Sequence, residues 1–217
     1  MTADTTFPLT ESQQAALAKI GCVVAQPGGV AVLCGPDGTG TTTVLGRLAG
    51  SEALRHREIG LRRLDGWAAE PAAAPLPDIV LADDAHEADA ASILAFLGRC
   101  LARTPRAGVV LAGSGRLLTL IARDPRIEQV IRLRATLRPC SLAESSGLIA
   151  AVLAPGQSEA FDQIPVVRTI HEIAGGIPAV VARLSGLAAL VATSRPDRAV
   201  GTADIEAIHR RLSLQAA

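Results

Sequence analysis

The sequence has few of the residues on which several classes of protein depend. It contains no tyrosine, one tryptophan and three phenylalanines, so few side chains are available to stack on nucleic-acid bases. Its four cysteines stand singly, with no C-x-x-C pair, which argues against a zinc site and against a disulfide framework. Lysine occurs once, at Lys19, and arginine supplies the remaining cations. No lysine other than Lys19 is therefore available to bind a phosphate in this protein.

The sequence also lacks a charge excess and long apolar runs. Acidic and basic residues balance at 21 each, so the whole molecule offers no general electrostatic attraction for nucleic acid or for an acidic membrane. No segment approaches 18 uninterrupted apolar residues, and residues 1–6 lack the basic and apolar regions of a secretion signal. We therefore expect no membrane span and a cytoplasmic location.

What is present suits a globular α/β protein. Hydrophobic residues make up 49% of the 217 residues and charged residues 19%, a balance that favours a buried core over disorder. Short continuous apolar runs predict strands buried on both faces, and periodic runs between them predict helices. The predicted strands lie at residues 30–34, 58–64, 78–82 and 108–112, and the predicted helices begin after residue 10 and lie near 42–48 and 88–102. Strands separated by helices predict βαβ units and a parallel sheet.

The pattern becomes purely helical from Leu142 onward. The predicted helices lie near residues 142–153, 159–174, 177–193 and 202–213, and they are separated by Pro155-Gly156, Gly175-Gly176 and Arg195-Pro196. We therefore predict two domains, an α/β domain over residues 1–140 and a helical subdomain over residues 141–217.

A glycine-rich segment follows the first predicted strand and leads into a predicted helix. Residues 35–42, Gly-Pro-Asp-Gly-Thr-Gly-Thr-Thr, fit the P-loop pattern G-x-x-x-x-G-K-S/T at every position except the lysine. In such a loop successive backbone N–H groups converge on a phosphate, and the helix presents its positive N-terminal end. The predicted nucleotide-binding residues are Gly35, Gly38, Thr39, Gly40, Thr41, Thr42 and Thr43. The alternative is an incidental glycine-rich turn.

The P-loop pattern predicts different roles for two threonines of this loop. Thr42 occupies the position whose hydroxyl holds Mg²⁺ in a P-loop, although a threonine there also suits a helix cap. Thr41 replaces the lysine whose charge lies against the β- and γ-phosphates. Because removing one preorganised electrostatic donor commonly lowers turnover by roughly 10²–10³, the loop predicts weak hydrolysis. Arg47 lies too far along the helix to replace the lysine.

An acidic pair ends another predicted strand. Ile79 to Ala82 is a buried-strand pattern, and Asp83 and Asp84 follow it. We predict that Asp83 orders Mg²⁺ and that Asp84 polarises the attacking water, as a shorter and poorer base than glutamate. The alternative is a solvated turn at the strand end.

Together these features resemble one group within the AAA+ superfamily, the ATPase module of general secretion pathway protein A and the related transposition helper ATPases. The segments that carry the resemblance are Leu9 to Leu17, the glycine-rich loop, Asp83-Asp84-Ala85-His86, Val110 to Leu117, Leu137-Arg138-Pro139, Ser141 to Glu144 and Ile173 to Pro178. The resemblance implies an α/β P-loop NTPase fold of the AAA+ kind, with a parallel sheet flanked by helices and a small C-terminal helical lid. It implies ATP or ADP with Mg²⁺ as the cofactor, and Ser114 as a polar sensor at the end of its strand.

The chain departs from this group at several positions. The lid of the group carries an arginine after G-x-P, whereas Gly176-Ile177-Pro178 is followed here by Ala179. An ungapped register on Leu137 places the arginine that reaches a neighbouring subunit at Val130, and Arg132 and Arg134, close by in the sequence, are the alternatives. The segment between Gly50 and Asp78 is shorter than in that group. The arginines between 123 and 138 form either a basic stripe or an ordinary solvated face.

These observations predict a degenerate AAA+ module that binds nucleotide with little hydrolysis, or no longer binds it, and that acts as a regulatory or scaffolding subunit. Its expected partner is another protein, an active ATPase of the same family among the candidates. Two alternatives stay open. One is a working ATPase with an altered P-loop. The other is a DNA-associated helper ATPase, which the balanced charge and the few aromatic residues disfavour.

Overall fold

The computed structural model of the chain describes residues 7–64, 75–102, 105–153, 164–195 and 199–215. For residues 213–215 it describes the backbone only. The described residues form two compact units. The first unit runs from Glu11 to Arg138, and the second begins at Pro139 and includes residues 7–10. Most of the predicted linker at 71–77 and the start of the helix predicted at 159 lie outside the described residues.

The first unit contains a five-stranded sheet in which every neighbouring pair of strands is parallel. Its strands are β1 (Val30–Cys34), β2 (Ile59–Arg63), β3 (Ile79–Asp83), β4 (Gly108–Gly113) and β5 (Leu133–Thr136), in the spatial order β2-β3-β4-β1-β5. The helices of this unit are α1 (Glu11–Val24), α2 (Thr41–Ala49), α3 (Ala90–Ala102), α4 (Gly115–Arg123) and α5 (Pro125–Glu128). The predicted parallel α/β sheet is confirmed. Strand β5 and helices α4 and α5 were not among the predicted elements.

Helices cover both faces of the sheet, which explains why the central strands are apolar throughout. Alternate residues of β1 face opposite cores: Val30 and Val32 pack in a cluster with residues of α3 and α4, whereas Ala31 and Leu33 pack in a cluster with residues of α1 and α2. All residues of β1, β3 and β4 are buried. A strand with two buried faces needs apolar side chains at every position instead of alternate ones.

The second unit is helical. It contains α6 (Leu142–Val152), α7 (Ile164–Ala174), α8 (Pro178–Ser194) and α9 (Thr202–Gln215) around an apolar core. A capping box joins Ser141 to Glu144 at the start of α6, so the sequence itself fixes this helix end. Among the described residues, no helix is both long enough and apolar enough to cross a bilayer.

Candidate functional site

The glycine-rich loop joins β1 to α2, as the sequence predicts. Gly38 has φ 81° and Gly40 has φ 95°, a left-handed region that glycine occupies without steric cost. A side chain at Gly35 would collide with the hydroxyl of Thr39 and crowd Leu137, and one at Gly40 would collide with the amide of Gln13. The loop therefore requires glycine at these positions for both backbone and packing reasons.

Thr39 and Gln13 hold this loop in shape. Thr39 is buried, and its hydroxyl donates to the Pro36 carbonyl at 2.7 Å while its backbone N–H donates to the same oxygen at 3.1 Å. Gln13, buried on α1, donates from Nε2 to the Thr39 carbonyl at 2.8 Å. Thr39 thus shapes the loop through internal bonds, and Gln13 fixes it to α1. No local sequence pattern predicts this role of Gln13, because the bond joins residues 26 positions apart.

Several backbone N–H groups of the loop and of the first turn of α2 have no acceptor. In the described part of the chain, no hydrogen bond uses the N–H of Gly38, Gly40, Thr41, Thr42 or Thr43. The first N–H groups of any helix lack intrahelical partners, and a helix N-terminus carries partial positive charge. Here Gly40 is the N-cap and offers no side-chain acceptor to α2. The arrangement is suited to receive an anion.

Thr42 and Asp83 come together in the structure. The Thr42 hydroxyl donates to Asp83 Oδ2 at 2.7 Å, and the Asp84 N–H donates to Asp83 Oδ1 at 3.0 Å. Thr42 is therefore not the cap of α2, which was its alternative role, because Gly40 is the N-cap and the hydroxyl contacts a carboxylate on another strand. A hydroxyl and a carboxylate in contact are oxygen ligands of the kind that Mg²⁺ takes.

Asp84 lies beside the pair formed by Thr42 and Asp83, but its carboxylate is engaged elsewhere. Arg63 donates from Nη1 to Asp84 Oδ2 at 2.6 Å and from Nη2 to Glu87 Oε2 at 2.7 Å. Asp84 adopts φ 50°, which aspartate tolerates better than most residues. The predicted base is thus held in an ion pair that the sequence analysis missed.

Arg63 reaches Asp84 because of the sheet register. Arg63 is the last residue of β2, and it pairs with Asp83, the last residue of β3. The carboxyl ends of parallel strands lie at one edge, so residues that end neighbouring strands become neighbours. The predicted second strand, residues 58–64, does contain Arg62 and Arg63 near its end, but nothing in that segment indicates which acid either arginine meets.

Ser114 lies at the same edge of the sheet. It follows β4, and the neighbouring Gly113 accepts from the Gly35 N–H at 3.4 Å and pairs with Cys34 in the sheet register. Ser114 is the N-cap of α4, yet its side chain makes no capping bond. Its hydroxyl is therefore free of that role, and Ser114 stays a predicted polar sensor.

His86 also packs against this edge. Its Nδ1 is buried with no hydrogen-bond partner among the described residues, and a side chain at Gly113 would come within 2.8 Å of that atom. The ring thus occupies the space that glycine leaves open at the end of β4.

Cationic side chains at the loop differ from those of a P-loop. Thr41 replaces the lysine, and Lys19 is exposed on α1. Arg47 lies on α2, and its Nε is a buried atom. Val130, at the position matched to the arginine that acts in trans, packs against the core.

The arginines between 123 and 138, which form either a basic stripe or a solvated face, are exposed but partly paired with acids. Arg126 pairs with Asp124 at 2.8 Å, and Arg134 pairs with Glu128 at 2.9 Å. The Arg126 guanidinium holds the pKa of Asp124 below its ordinary value. These acids reduce the positive potential along the stripe, which does not favour contact with a polyanion.

Comparison with known proteins identifies the fold. No protein-family model matches the sequence, and no curated protein matches it, but solved structures match the fold. The chain is similar to RuvB, the Holliday junction branch migration motor of Thermotoga maritima, at TM-score 0.61 and 15% identity, covering 92% of this chain and 70% of that one. It is similar to the ORC2 protein of Aeropyrum pernix at TM-score 0.66 and 12% identity, covering 97% of this chain and 70% of that one. It is also similar to domain III of the T. maritima replication initiation protein DnaA at TM-score 0.61 and 14% identity, covering 92% of each chain.

At these identities the likeness concerns the fold. The chain therefore has an α/β P-loop NTPase fold, as the resemblance implied. The resemblance to general secretion pathway protein A stays a prediction from the sequence.

Proposed function

We propose that this protein binds an adenine nucleotide with Mg²⁺ at the edge formed by the loop, Asp83 and Ser114, that it hydrolyses the nucleotide slowly or not at all, and that it acts as a regulatory or scaffolding subunit. The observation that carries the proposal is the set of backbone N–H groups without acceptors in the loop, next to the contact of Thr42 with Asp83. The ORC2 structure that the fold resembles contains ADPNP and ADP. The resemblance to general secretion pathway protein A supports the same ligand.

The residues of the site fit a nucleotide and its metal. The N–H groups of Gly38 and of residues 40–43 would hold phosphate oxygens, and the oxygens of Thr42 and Asp83 would hold Mg²⁺. The bound metal would neutralise phosphate charge. Glycine at positions 35 and 40 keeps the loop free of side chains that would disturb this shape.

Three features support slow hydrolysis. Thr41 brings no charge to the phosphates, Asp84 is shorter than glutamate and is paired with Arg63, and Ala179 stands where the lid arginine is expected. Each loss weakens charge stabilisation or water positioning, and an electrostatic donor alone is worth roughly 10²–10³ in turnover. The alternative of an active ATPase requires another residue to supply the charge.

Calorimetric titration with ATP and ADP, with and without Mg²⁺, tests the binding part of the proposal. We expect Mg²⁺ to tighten binding to the wild-type protein, and Thr42→Val to remove this dependence because it deletes the hydroxyl beside Asp83. Thr43→Val is the matched control, because Thr43 is exposed and its hydroxyl makes no hydrogen bond among the described residues. Absence of binding by the wild-type protein would refute the nucleotide site.

A steady-state assay tests the hydrolysis part. We expect turnover well below about one per second, the low end of the ordinary enzyme range. Turnover near that value, abolished by Asp83→Ala, would establish the active-ATPase alternative instead.

The scaffolding part of the proposal rests on the second unit. A groove of about 360 Å³ lies between α8 and α9, lined by Leu187, Leu190, Val191, Ser194, Ile208, Arg211 and Leu212. Leu190 is 67% exposed and lies among apolar residues of both helices, and contiguous exposed apolar surface of this kind marks interaction sites. An amphipathic helix with an acidic residue for Arg211 would suit this lining, and we propose that such a helix belongs to another protein, with an active ATPase of the same fold as the first candidate.

Copurification of that ATPase with the Leu190→Asp variant tests the docking site. We expect the variant to lose the partner that the wild-type protein retains. Val180→Asp is the matched control, because Val180 is a partly exposed apolar residue on the same helix outside the groove. Equal recovery with both variants, or a wild-type protein that functions as a free monomer, would refute this part.

A further inference from the structure

Arg63 is a cation at the edge where the proposed nucleotide site lies. A chain of direct contacts connects it to the loop: Arg63 pairs with Asp84, the Asp84 N–H bonds to Asp83, and Asp83 accepts from Thr42. Thr42 also contributes one of the N–H groups without an acceptor. Three successive contacts thus connect the guanidinium to the first turn of α2, on the side of the acidic pair.

The ion pairs of Arg63 are of a kind that exchanges readily. The Arg63 side chain is 54% exposed, and the Asp84 and Glu87 side chains are 35% and 48% exposed. Pairs between exposed side chains contribute little stability, because water and salt screen them. A bidentate contact with a phosphate is stronger, since both the charge and the planar geometry match.

The carboxylates of Asp84 and Glu87 also make the electrostatic potential at this edge negative, which disfavours binding of a triphosphate. A nucleotide with a γ-phosphate brings its additional charge toward these carboxylates, whereas a diphosphate does not. Because the loop has Thr41 in place of lysine, no ammonium there offsets this repulsion. A cation beside the two acids can do so.

We propose that Arg63 binds the terminal phosphate of a nucleoside triphosphate and thereby makes this site select ATP over ADP. The inference rests on the proposed nucleotide site and assigns its specificity to one side chain. The guanidinium exchanges at least one carboxylate oxygen of Asp84 or Glu87 for a phosphate oxygen. In this role Arg63 contributes to binding of the terminal phosphate, and it does not replace the lysine of the loop in hydrolysis.

Calorimetric titration with MgATP and MgADP measures this selectivity directly, without dependence on turnover. We expect Arg63→Met to weaken ATP binding by roughly ten- to a hundredfold, the range for a charge-assisted bond, and to change ADP binding by less than about threefold. Arg63→Lys should keep part of the preference, since the charge remains. Arg62→Met is the control, because Arg62 is the exposed neighbour on the same strand and alternation turns it to the other face.

A double variant distinguishes direct contact of Arg63 with the phosphate from a general neutralisation of the negative charge on Asp84 and Glu87. Arg63→Met combined with Asp84→Asn removes one cation and one carboxylate together and so keeps the net charge of the wild-type site. We expect ATP binding to stay weak in this double variant. Recovery of wild-type ATP affinity there, or an Arg63→Met protein that binds ATP as well as the wild type, would overturn the assignment. A wild-type protein that binds neither nucleotide would instead refute the proposed function itself.

Discussion

Substitution of Gly40 by alanine tests whether α1 and the loop are coupled as the structure describes. Two costs follow from the geometry. Gly40 has φ 95°, and holding an L-residue in the left-handed region costs roughly 1–2 kcal/mol. The new methyl group would also collide with the Gln13 amide, so this side chain must move and leave the buried Thr39 carbonyl without its donor. A buried acceptor left unsatisfied costs about 1–3 kcal/mol.

We therefore expect Gly40→Ala to destabilise the first unit by roughly 2–5 kcal/mol. Because the chain forms two compact units, the measurement is native-state hydrogen exchange of the segment from β1 to α2, in increasing urea, which reports on the first unit by itself. Gly98→Ala is the matched control. Gly98 is exposed inside α3 with open space around it, so its alanine variant should gain about 0.5–1 kcal/mol.

A double-mutant cycle with Gln13→Ala isolates the second cost. In the Gln13→Ala background the bond to Thr39 is already absent, so Gly40→Ala should cost only the backbone part, about 1–2 kcal/mol. Full additivity of the two substitutions would refute the coupling. A Gly40→Ala variant no less stable than Gly98→Ala would refute the strained loop geometry as well.

Two other predictions concern the loop charge and the cysteines. Thr41→Lys should tighten ATP binding by roughly tenfold or more, because it restores a cation beside the phosphates, and calorimetry would measure it; unchanged affinity would mean that nucleotide binds elsewhere. Burial raises the pKa of the Cys34 thiol to about 11, so Cys34 stays protonated at pH 8 and should resist iodoacetamide in the folded protein, while the exposed Cys22 reacts. Peptide mapping after alkylation checks this, and rapid native-state labelling of Cys34 would contradict its burial.

Local patterns were sufficient to predict the central strands and the loop. Val30 to Cys34 and Ile79 to Ala82 are continuous apolar runs, because helices cover both faces of the sheet. The loop conformation depends on glycines at fixed offsets within a few residues. Thr42 and Asp83 could be paired in advance because each lies at a defined position in its own motif.

The outermost strand on one side of the sheet, β5, was harder to predict. The sequence of β5 alternates, with Arg134 exposed and Ala135 buried, and the strand is only four residues long. Without knowledge of its pairing with β1, this segment was interpreted only as part of a basic face. A short edge strand depends on its neighbour for hydrogen bonds, so local composition predicts it weakly.

The sequence by itself determined the type of fold and the position of the phosphate-binding loop, since both depend on periodicity and on residue types at short spacing. Only the tertiary structure decided that Gln13 holds the loop and that Arg63 holds Asp84. These contacts join residues 26 and 21 positions apart, and they arise from helix packing and sheet register. Register is set by the packing of whole strands, so no single segment encodes which side chains meet at the edge of the sheet.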